Sequence, residues 1–400
     1  MIFKTYLSYK MLCEQCFLFL KPLNKRRKDF YISVLWLFLS IKGKINFLQM
    51  ERYSNFCEQS FRQQFDKWFD FLKFNSALVS KYCSRRTVIG FDPSYIPKSG
   101  KKTCGTGMYW SGCAGSAKWG LEICGIAAID LDNHTAMHLE AVQTLPEREE
   151  KLLDFYVKLL IDRTESLQKI SSTIVADAYF SKEPFVTPVC DAGFHLVSRL
   201  RDDTRMNYLI EPVKTGKRGR PKTIGERVDT ENLDLNYCTQ IETDNPQERV
   251  YSAVVQSISL KRNVRVVIVM QNGDAKIYFS THTEMPAKEI LEIYRTRFQI
   301  EFLYRDAKQH TGLTNCQARS EEKLHFHFNM SLTAVSVAKA VHWFSVEKEK
   351  RKAFSLTDIK TMNHNALLLN RFFCTFAINP NLLKNNQKVK ELLYFGIRAA

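Results

Sequence analysis

Apolar residues recur with the period of an α-helix through the first 86 residues of the chain. In the segment FRQQFDKWFDFLKF they stand at positions i, i+4, i+7, i+8 and i+11, on one face of a helix: Phe61, Phe65, Trp68, Phe69 and Leu72. Basic residues lie between these positions and in the run KRRK upstream. We predict a helical domain over residues 1–86. We interpret it as a DNA-binding module rather than as a helical bundle with an ordinary solvated face.

From residue 87 the pattern changes to short apolar runs that are typical of β-strands. TVIGFD indicates a strand that ends on Asp92 before a Pro-Ser turn, and STIVAD indicates one that ends on Asp177. Between them the sequence predicts two strands joined by a turn at 130–133, then a helix over EREEKLLDFYVKLLIDRTESLQKI. FHLVSRL follows as another strand. This order predicts an α/β fold, with its sheet beginning in residues 87–204.

The second half of the chain divides into three further segments. Residues 205–285 contain β-like runs such as RVVIVMQ and a basic stretch, KTGKRGRPKTIGER, and are read as a β-rich insertion. Residues 286–345 begin with a helix after Pro286 and continue with KLHFHFNMSLTAVSVAKAVHWF, which we predict to be an amphipathic helix. Residues 346–400 are predicted to be a C-terminal helical region.

The segment IYRTRFQIEFLYRDAKQH, residues 293–310, is predicted to be one helix with two distinct faces. Its apolar seam consists of Ile293, Ile300, Leu303 and Ala307. Its polar stripe consists of Tyr294, Arg297, Glu301, Tyr304, Arg305 and Lys308. Packing the seam on the sheet would hold Glu301 near the ends of the strands. A solvated face with i, i+4 ion pairs explains Arg297 and Glu301 but not the tyrosine and the lysine aligned with them.

Composition indicates a polyanionic partner and no passage through a membrane. The formal net charge is +16, and residues 1–86 contain 16 Lys and Arg against 6 Asp and Glu. The longest apolar run, YISVLWLFLSI, is too short to cross a bilayer, which needs about 20 residues. Eleven scattered cysteines, with one C-x-x-C at Cys13 and Cys16, are read as apolar residues of a reduced protein. We therefore expect a cytoplasmic protein that associates with the nucleoid.

Three carboxylates could converge at the predicted sheet edge. Taken singly, Asp92 and Asp177 are read as turn or helix-cap residues more readily than as functional groups. Together with Glu301 they form an all-oxygen ligand set, which suits Mg²⁺ or Mn²⁺. Two such ions support phosphoryl transfer, and the neighbouring Arg297 and Lys308 would then bind phosphates.

The spacing Tyr294-x2-Arg297-x3-Glu301-x6-Lys308 matches the Y-R-E-K signature. Through this signature the chain resembles the DDE transposases of bacterial insertion sequences, specifically the insertion sequence 4 family. The segments IGFDPSYIPKSGKKT and IVADAYFSKEPF resemble the regions that hold the first and second catalytic aspartates of the family. The resemblance covers about residues 20–340.

The resemblance implies an α/β, RNase H-like core, in which a mixed sheet with flanking helices carries a β-rich insertion before the glutamate-bearing helix. It implies catalytic and metal-binding roles for Asp92, Asp177 and Glu301, with two Mg²⁺ ions as cofactors and Mn²⁺ as an alternative. It further implies contacts with DNA phosphates by Tyr294, Arg297 and Lys308. The expected partner is double-stranded DNA, at the element ends and at the target, and a homodimer is expected in the synaptic complex.

Two features of the insertion leave alternatives open. Lys217, Arg218, Arg220 and Lys222 resemble an AT-hook core for the minor groove, and a basic loop that makes nonspecific contacts or none explains them equally well. Better-known relatives of the family stack a tryptophan of the insertion on a flipped base, but residues 205–285 contain no tryptophan. Tyr251, Tyr278 or Phe279 could stack in its place. The excision route therefore stays open.

The function predicted from the sequence is cut-and-paste transposition. The enzyme would bind the terminal inverted repeats of its element, cleave the ends with Mg²⁺ and join the 3′-hydroxyls to target DNA. The alternatives are an RNase H-like nuclease without strand transfer and a non-catalytic or decayed DNA-binding protein.

Overall fold

The structure, a computed structural model, describes residues 4–146, 149–212, 222–243, 245–379, 382 and 386–398. Within these ranges, no helix is both long and apolar enough to cross a membrane. The helices are α1 Lys4–Phe17, α2 Lys25–Ser40, α3 Phe47–Arg52, α4 Glu58–Phe65, α5 Phe71–Tyr82, α6 Leu152–Ile161, α7 Thr164–Gln168, α8 Glu183–Asp191, α9 Ala287–Thr296, α10 Gln299–His310, α11 Glu321–His342, α12 Leu356–Thr375 and α13 Gln387–Leu393.

The strands form one large mixed sheet. They are β1 Thr87–Pro97, β2 Gly107–Ser111, β3 Ser116–Asp130, β4 Thr135–Gln143, β5 Thr173–Val175, β6 His195–Arg199, β7 Met206–Leu209, β8 Ile224–Arg227, β9 Thr239–Ile241, β10 Arg249–Ser257, β11 Arg262–Gln271 and β12 Asp274–Ser280. Their order is β2-β3-β1-β5-β6-β12-β11-β10-β7-β8, with β4 on β3 and β9 on β10.

The predicted α/β fold with a mixed sheet and flanking helices is confirmed. Strand β1 pairs antiparallel with β3 and parallel with β5, and β5 pairs parallel with β6. This arrangement is consistent with an RNase H-like core. The strands of 205–285 continue the same sheet, because β12 pairs antiparallel with β6. The five domain ranges predicted from the sequence stay predictions.

Strand β1 does not end at Asp92, as the sequence predicted, but continues to Pro97. Its pairing with β3 persists through Asp92 opposite Gly125 to Pro97 opposite Gly120. On its other side, the register with β5 ends at Gly90. An edge free of a partner tolerates a proline, which cannot donate a ladder hydrogen bond, and Pro93 therefore does not stop the strand. Asp92 lies within a strand, at the point where one of its two neighbours ends.

The apolar face predicted for one helix over residues 61–72 belongs to two helices. Helix α4 ends at Phe65, and α5 begins at Phe71 with Asp70 as its cap, whose side chain accepts from the Lys73 amide at 2.9 Å. Phe61, Phe65 and Phe69 are buried as expected, but Trp68 between the helices is exposed. The helix predicted after Pro146 is likewise divided, into α6 and α7.

Helix α11 is confirmed, but it is not amphipathic. Residues 326–340 are buried all round, because the helix lies between the sheet and the N-terminal helices α1, α2, α4 and α5. Its polar side chains bond the free edge of β4. Asn329 accepts from the Ala141 amide and donates to the Ala141 carbonyl, both at 2.8 Å, and Ser336 accepts from the His138 amide at 2.8 Å. The edge is thereby covered and its polar groups are satisfied.

Replacement of Asn329 by alanine is expected to lower the free energy of unfolding by about 3 kcal/mol. The substitution leaves the buried amide and carbonyl of Ala141 without these partners, and each unsatisfied buried group costs about 1–3 kcal/mol. Urea denaturation at pH 7 measures the difference. Gln59→Ala, at an exposed position of α4, is the matched control and should change stability by less than about 0.5 kcal/mol. A similarly small effect at Asn329 would contradict the assigned role.

Candidate active site

The helix predicted over residues 293–310 is divided into α9 and α10 at Arg297 and Phe298. Both residues keep right-handed helical dihedral angles, so the chain continues in nearly the same direction. The Ile300 amide bonds to the Arg297 carbonyl, three residues back, at 3.2 Å. The prediction of one continuous helix is therefore wrong at this point. Tyr294 and Arg297 lie at the end of α9, and Glu301 lies in the first turn of α10.

The predicted apolar seam is confirmed, since Ile293, Ile300, Leu303 and Ala307 are all buried. Its contact with the sheet is fixed by a neighbouring residue, Tyr304. The Tyr304 hydroxyl donates to the Asp92 carbonyl at 2.5 Å. Gly125 leaves the room for this contact, because a Cβ there would lie 1.9 Å from the hydroxyl oxygen. Strands β1 and β3 thus hold α10 directly beside Asp92.

Arg297 lies among the three predicted carboxylates. Its Nη2 donates to Glu301 Oε1 at 3.0 Å, and its Nη1 lies 3.9 Å from Asp92 Oδ1. Burial lowers the pKa of Arg297, but the charges of Asp92, Tyr294, Glu301 and Asp177 more than offset this, so its pKa is raised. Its Nε is buried and has no hydrogen-bond partner within the described part of the chain. The guanidinium therefore stays charged, and its Nε lies inside the protein without an acceptor.

The surroundings of Asp92 disfavour the charged form of its carboxyl group. Burial raises the pKa of its carboxyl to about 7. Arg297 acts in the opposite direction, the nearby charges of Asp177 and Glu301 raise the pKa further, and Lys308 lowers it. Only 20% of the side chain is exposed. Desolvation and two neighbouring carboxylates disfavour the anion, which is the electrostatic environment that a bound cation would reverse.

The strand predicted to end on Asp177 ends two residues earlier, at Val175, so Ala176 separates Asp177 from β5. Its side chain accepts from the Tyr179 amide at 2.6 Å and so caps a short 3₁₀ helix, Ala178–Phe180. Its backbone carbonyl accepts from the Ser198 hydroxyl at 2.9 Å. The cap uses one carboxylate oxygen, and the residue also acts electrostatically on Asp92 and Arg297. The turn-cap interpretation and the functional one are therefore compatible.

Tyr294 and Lys308 flank the carboxylates on opposite sides. The Tyr294 ring packs against Tyr278 of β12 with centroids 4.9 Å apart, and the Arg297 guanidinium lies 5.8 Å from the Tyr294 ring centre. Lys308 donates to the Ser94 hydroxyl at 2.9 Å. Burial lowers the pKa of Lys308 below its usual value, while Asp92 acts to raise it. Arg297, Glu301 and Lys308 thus act electrostatically on Asp92, and Tyr294 is influenced by Asp177.

Of the four basic residues that resemble an AT-hook core, one lies within the described residues. Lys217, Arg218 and Arg220 lie outside the described residues. Lys222 precedes β8 and lines a cavity of about 690 Å³ beside Ile210 and Asn263.

The stacking candidates of the insertion differ in their exposure. Phe279 is buried in the sheet and cannot stack on a base, which corrects that expectation. Tyr251 and Tyr278 are half-buried. Of these two, Tyr278 contacts Tyr294 and so lies beside the site.

The donor chemistry of the cluster fits a hard divalent cation, but the carboxylates are arranged around a guanidinium. Asp92, Asp177 and Glu301 offer oxygen ligands only, which are the ligands that Mg²⁺ and Mn²⁺ prefer. Among the described residues, however, no group of three His, Cys, Asp or Glu side chains forms a ready-made metal site. A cation between Asp92 and Glu301 would take the place of the Arg297 guanidinium. Cys13 and Cys16 are both buried in α1, which agrees with their interpretation as apolar residues.

One comparison with known proteins bears on this cluster. Residues 151–337 match the family model described as a transposase DDE domain. The match supports a DDE transposase, an enzyme that acts on DNA, and it spans slightly less than half of the chain. Asp177 and all four residues of the Tyr-Arg-Glu-Lys spacing lie within the matched transposase DDE domain, whereas Asp92 and the N-terminal helices lie outside it. No curated protein matches the chain.

Sequence reasoning missed two residues that shape the site. Ser94 positions Lys308, and Gly125 admits the Tyr304 hydroxyl next to Asp92. Ser94 shares a strand face with Asp92, but the sequence predicted a turn at Pro93 and Ser94, so strand alternation did not reach it. Nothing in the sequence indicated Gly125, since its role depends on the register between β1 and β3.

Proposed function

We propose that this chain is a transposase of the insertion sequence 4 family. It binds the terminal inverted repeats of an insertion sequence, cleaves the DNA ends by metal-dependent phosphodiester hydrolysis and joins the 3′-hydroxyls to target DNA. The observation that supports this best is the cluster of Asp92, Asp177 and Glu301 around Arg297. Two of these carboxylates lie in the matched transposase DDE domain, and the third is the buried carboxyl with the raised pKa.

Asp92, Asp177 and Glu301 would hold the divalent metal, Mg²⁺ in two ions or Mn²⁺ in its place. When bound, such ions activate the attacking oxygen and stabilise the leaving one in phosphoryl transfer. The contribution of Asp92 depends on pH. Because its pKa is about 7 without metal, metal binding releases a proton from it, and we expect weaker metal affinity below pH 7 than above.

The cationic residues of the cluster would bind the DNA backbone. Arg297 has a guanidinium fork that suits a phosphate. Entry of a metal between Asp92 and Glu301 would release its Nη groups for this contact. Lys308 adds a point charge on the far side of Asp92, and Tyr294 adds a hydroxyl donor.

Double-stranded DNA is the proposed partner, at the element ends and at the target. The surplus of positive charge in residues 1–86 would bind the duplex outside the catalytic cluster. The basic residues Lys217, Arg218, Arg220 and Lys222 would add minor-groove or phosphate contacts. A homodimer would hold two ends in a synaptic complex in the cytoplasm, associated with the nucleoid.

The test uses purified full-length protein and labelled DNA fragments from both flanks of its coding region. With Mg²⁺, we expect cleavage at the element ends within the fragments and joining of the label to a supercoiled target plasmid. EDTA should abolish both. Nicking without joining would favour a nuclease. Binding without cleavage in Mg²⁺ and Mn²⁺ would favour a non-catalytic DNA-binding protein. Either outcome would refute transposition by this chain.

A further inference from the structure

The β2–β3 hairpin exposes a strip of large apolar side chains, Met108, Trp110 and Trp119, here called the hairpin strip. Their exposed fractions are 62%, 64% and 42%. Met108 lies directly opposite Trp119 in the antiparallel register, and Trp110 is two residues from Met108 on the same strand. Opposite residues and residues two apart share a face of a sheet. The three side chains therefore occupy one face of the hairpin and leave it open to solvent.

The hairpin is held in place by hydrogen bonds. Its position therefore does not depend on burial of the three apolar side chains, which stay exposed. On the opposite face, the Tyr109 hydroxyl donates to the Gly105 carbonyl at 3.0 Å. The Trp119 indole donates to the Gly100 carbonyl at 3.1 Å, and the Tyr95 hydroxyl donates to the Trp119 carbonyl at 2.7 Å. The indole N–H of Trp119 is therefore already satisfied while much of its ring remains exposed. An exposed aromatic patch on an otherwise anchored element is characteristic of a binding surface.

The surroundings of the hairpin strip are cationic. Residues 93–121 contain four lysines and neither aspartate nor glutamate. Lys98 bonds to backbone carbonyls, whereas Lys101, Lys102 and Lys118 are exposed. Lys118 pairs with Tyr109 and lies on the opposite face, whereas Lys101 follows the glycine whose carbonyl accepts from the Trp119 indole. Exposed aromatic rings among lysines provide the two contacts that an unpaired nucleic acid strand offers, base faces and phosphates.

The hairpin and the candidate active site share strand β3. Gly125 of β3 pairs with Asp92, and Trp119 stands six residues before Gly125 on the same strand, about 20 Å away. At the base of the hairpin, Trp119 bonds to Tyr95 of β1, the strand that carries Asp92 and Ser94. A DNA strand that leaves the carboxylate cluster along β1 and β3 would therefore reach this hairpin.

We propose that the hairpin strip is a stacking platform for unpaired bases of the DNA strand processed at the carboxylate cluster. This inference rests on the proposed function, and it places the stacking tryptophans on the β2–β3 hairpin rather than in the 205–285 insertion. Diagonal neighbours across an antiparallel pair stand about 7–8 Å apart. That spacing is about twice the roughly 3.4 Å that each base occupies along a strand, so one base fits between Trp110 and Trp119.

A second copy of this chain is a less suitable occupant. Each copy carries a net charge of +16, and the strip is bordered by lysines, so two strips would bring like charges together. An unpaired DNA strand supplies the opposite charge.

The test measures fluorescence of 2-aminopurine placed in a single-stranded oligonucleotide and, separately, in the same sequence as a duplex, with full-length protein in EDTA. Wild type should quench the unpaired probe by stacking. The double variant Trp110→Ala/Trp119→Ala should bind the single strand about tenfold or more weakly and lose the quenching, while duplex affinity changes less than about twofold. Trp110→Phe/Trp119→Phe should restore most of the effect. Phe376→Ala, at an exposed aromatic residue that follows α12, is the matched control and should leave both measurements unchanged.

Circular dichroism and the melting temperature establish that the variants are folded. Unchanged single-strand affinity and quenching in the folded double variant would overturn the proposal. A shift from dimer to monomer in the double variant, with unchanged DNA binding, would identify the strip as a contact between copies and would also overturn it. Because stacking is measured in EDTA, its failure is distinct from failure of the metal-dependent cleavage assay. Quenching without cleavage would refute the proposed function alone, and cleavage without quenching would refute the platform alone.

Discussion

Glu301→Gln is expected to reduce metal-dependent DNA cleavage by about 10³-fold or more, which corresponds to about 4 kcal/mol of lost transition-state stabilisation. Glutamine keeps the size and one acceptor oxygen of the side chain but removes the negative charge that would help to hold the metal. The fold should be unaffected, because Glu301 is 54% exposed and its contact with Arg297 is an ion pair within one helical stretch. Cleavage of labelled end DNA under single-turnover conditions measures the effect.

Glu289→Gln is the matched control for this prediction. Glu289 lies in the first turn of α9, twelve residues before Glu301, a separation of about 18 Å along the helical stretch. The control should retain cleavage within about twofold of wild type. If Glu301→Gln cleaved as fast as Glu289→Gln while remaining folded, the assignment of Glu301 to the metal would be wrong.

Asp92→Asn is expected to stabilise the metal-free protein by about 4 kcal/mol at pH 8. Burial raises the pKa of Asp92 from 3.8 to about 7, and each pKa unit corresponds to about 1.4 kcal/mol. The folded state therefore binds this proton more tightly than the unfolded state, and the wild-type protein loses stability as the pH rises from about 4 to 7. Asparagine has no such proton to lose. The gain in the free energy of unfolding of Asp92→Asn over wild type should be about 1.5 kcal/mol at pH 5 and reach about 4 kcal/mol above pH 7.

Urea denaturation in EDTA at several pH values measures this difference. Asp274→Asn, at an exposed position at the start of β12, is the control, and its effect should not follow the same pH profile. Addition of Mg²⁺ or Mn²⁺ should raise the melting temperature of wild type and not that of Asp92→Asn. A stability difference that is constant between pH 5 and pH 8 would refute the raised pKa, and an equal metal effect on both proteins would refute Asp92 as a ligand.

Glu301→Gln and Asp92→Asn together distinguish the contribution of the site to activity from its contribution to stability. Asp92→Asn should make the protein more stable and less active, because a buried carboxylate beside two others is unfavourable for folding and useful only for a cation. In the metal-free state Arg297 supplies part of the missing positive charge, through its contacts with Glu301 and Asp92.

The parts of this site that could be predicted from sequence are those that depend only on residues near one another in the chain. Helical spacing placed Ile293, Ile300 and Ala307 on a buried seam and Glu301 on the opposite stripe, since side-chain direction along a helix follows from its period. Strand propensity located β5, although the strand ends at Val175 rather than at Asp177. The matched transposase DDE domain contains both Asp177 and Glu301.

Other features were decided by contacts between distant segments. Pro93 indicated a turn, but β1 continues because β3 still pairs with it and β5 no longer does. Helix α11 carries polar residues that predicted a solvated face, yet Asn329 and Ser336 bond the edge of β4. Neither outcome is encoded in the neighbouring residues.

By itself, the sequence determined the α/β class, the position of most helices and strands and the spacing of Tyr294, Arg297, Glu301 and Lys308, because backbone propensity and side-chain periodicity act over a few residues. Only the tertiary structure decided which groups surround Asp92, how deeply it is buried, and that Arg297 rather than solvent faces it. The shared exposed face of the hairpin strip was decided in the same way. Desolvation and charge interaction depend on distances in space, and strand register and helix packing set those distances.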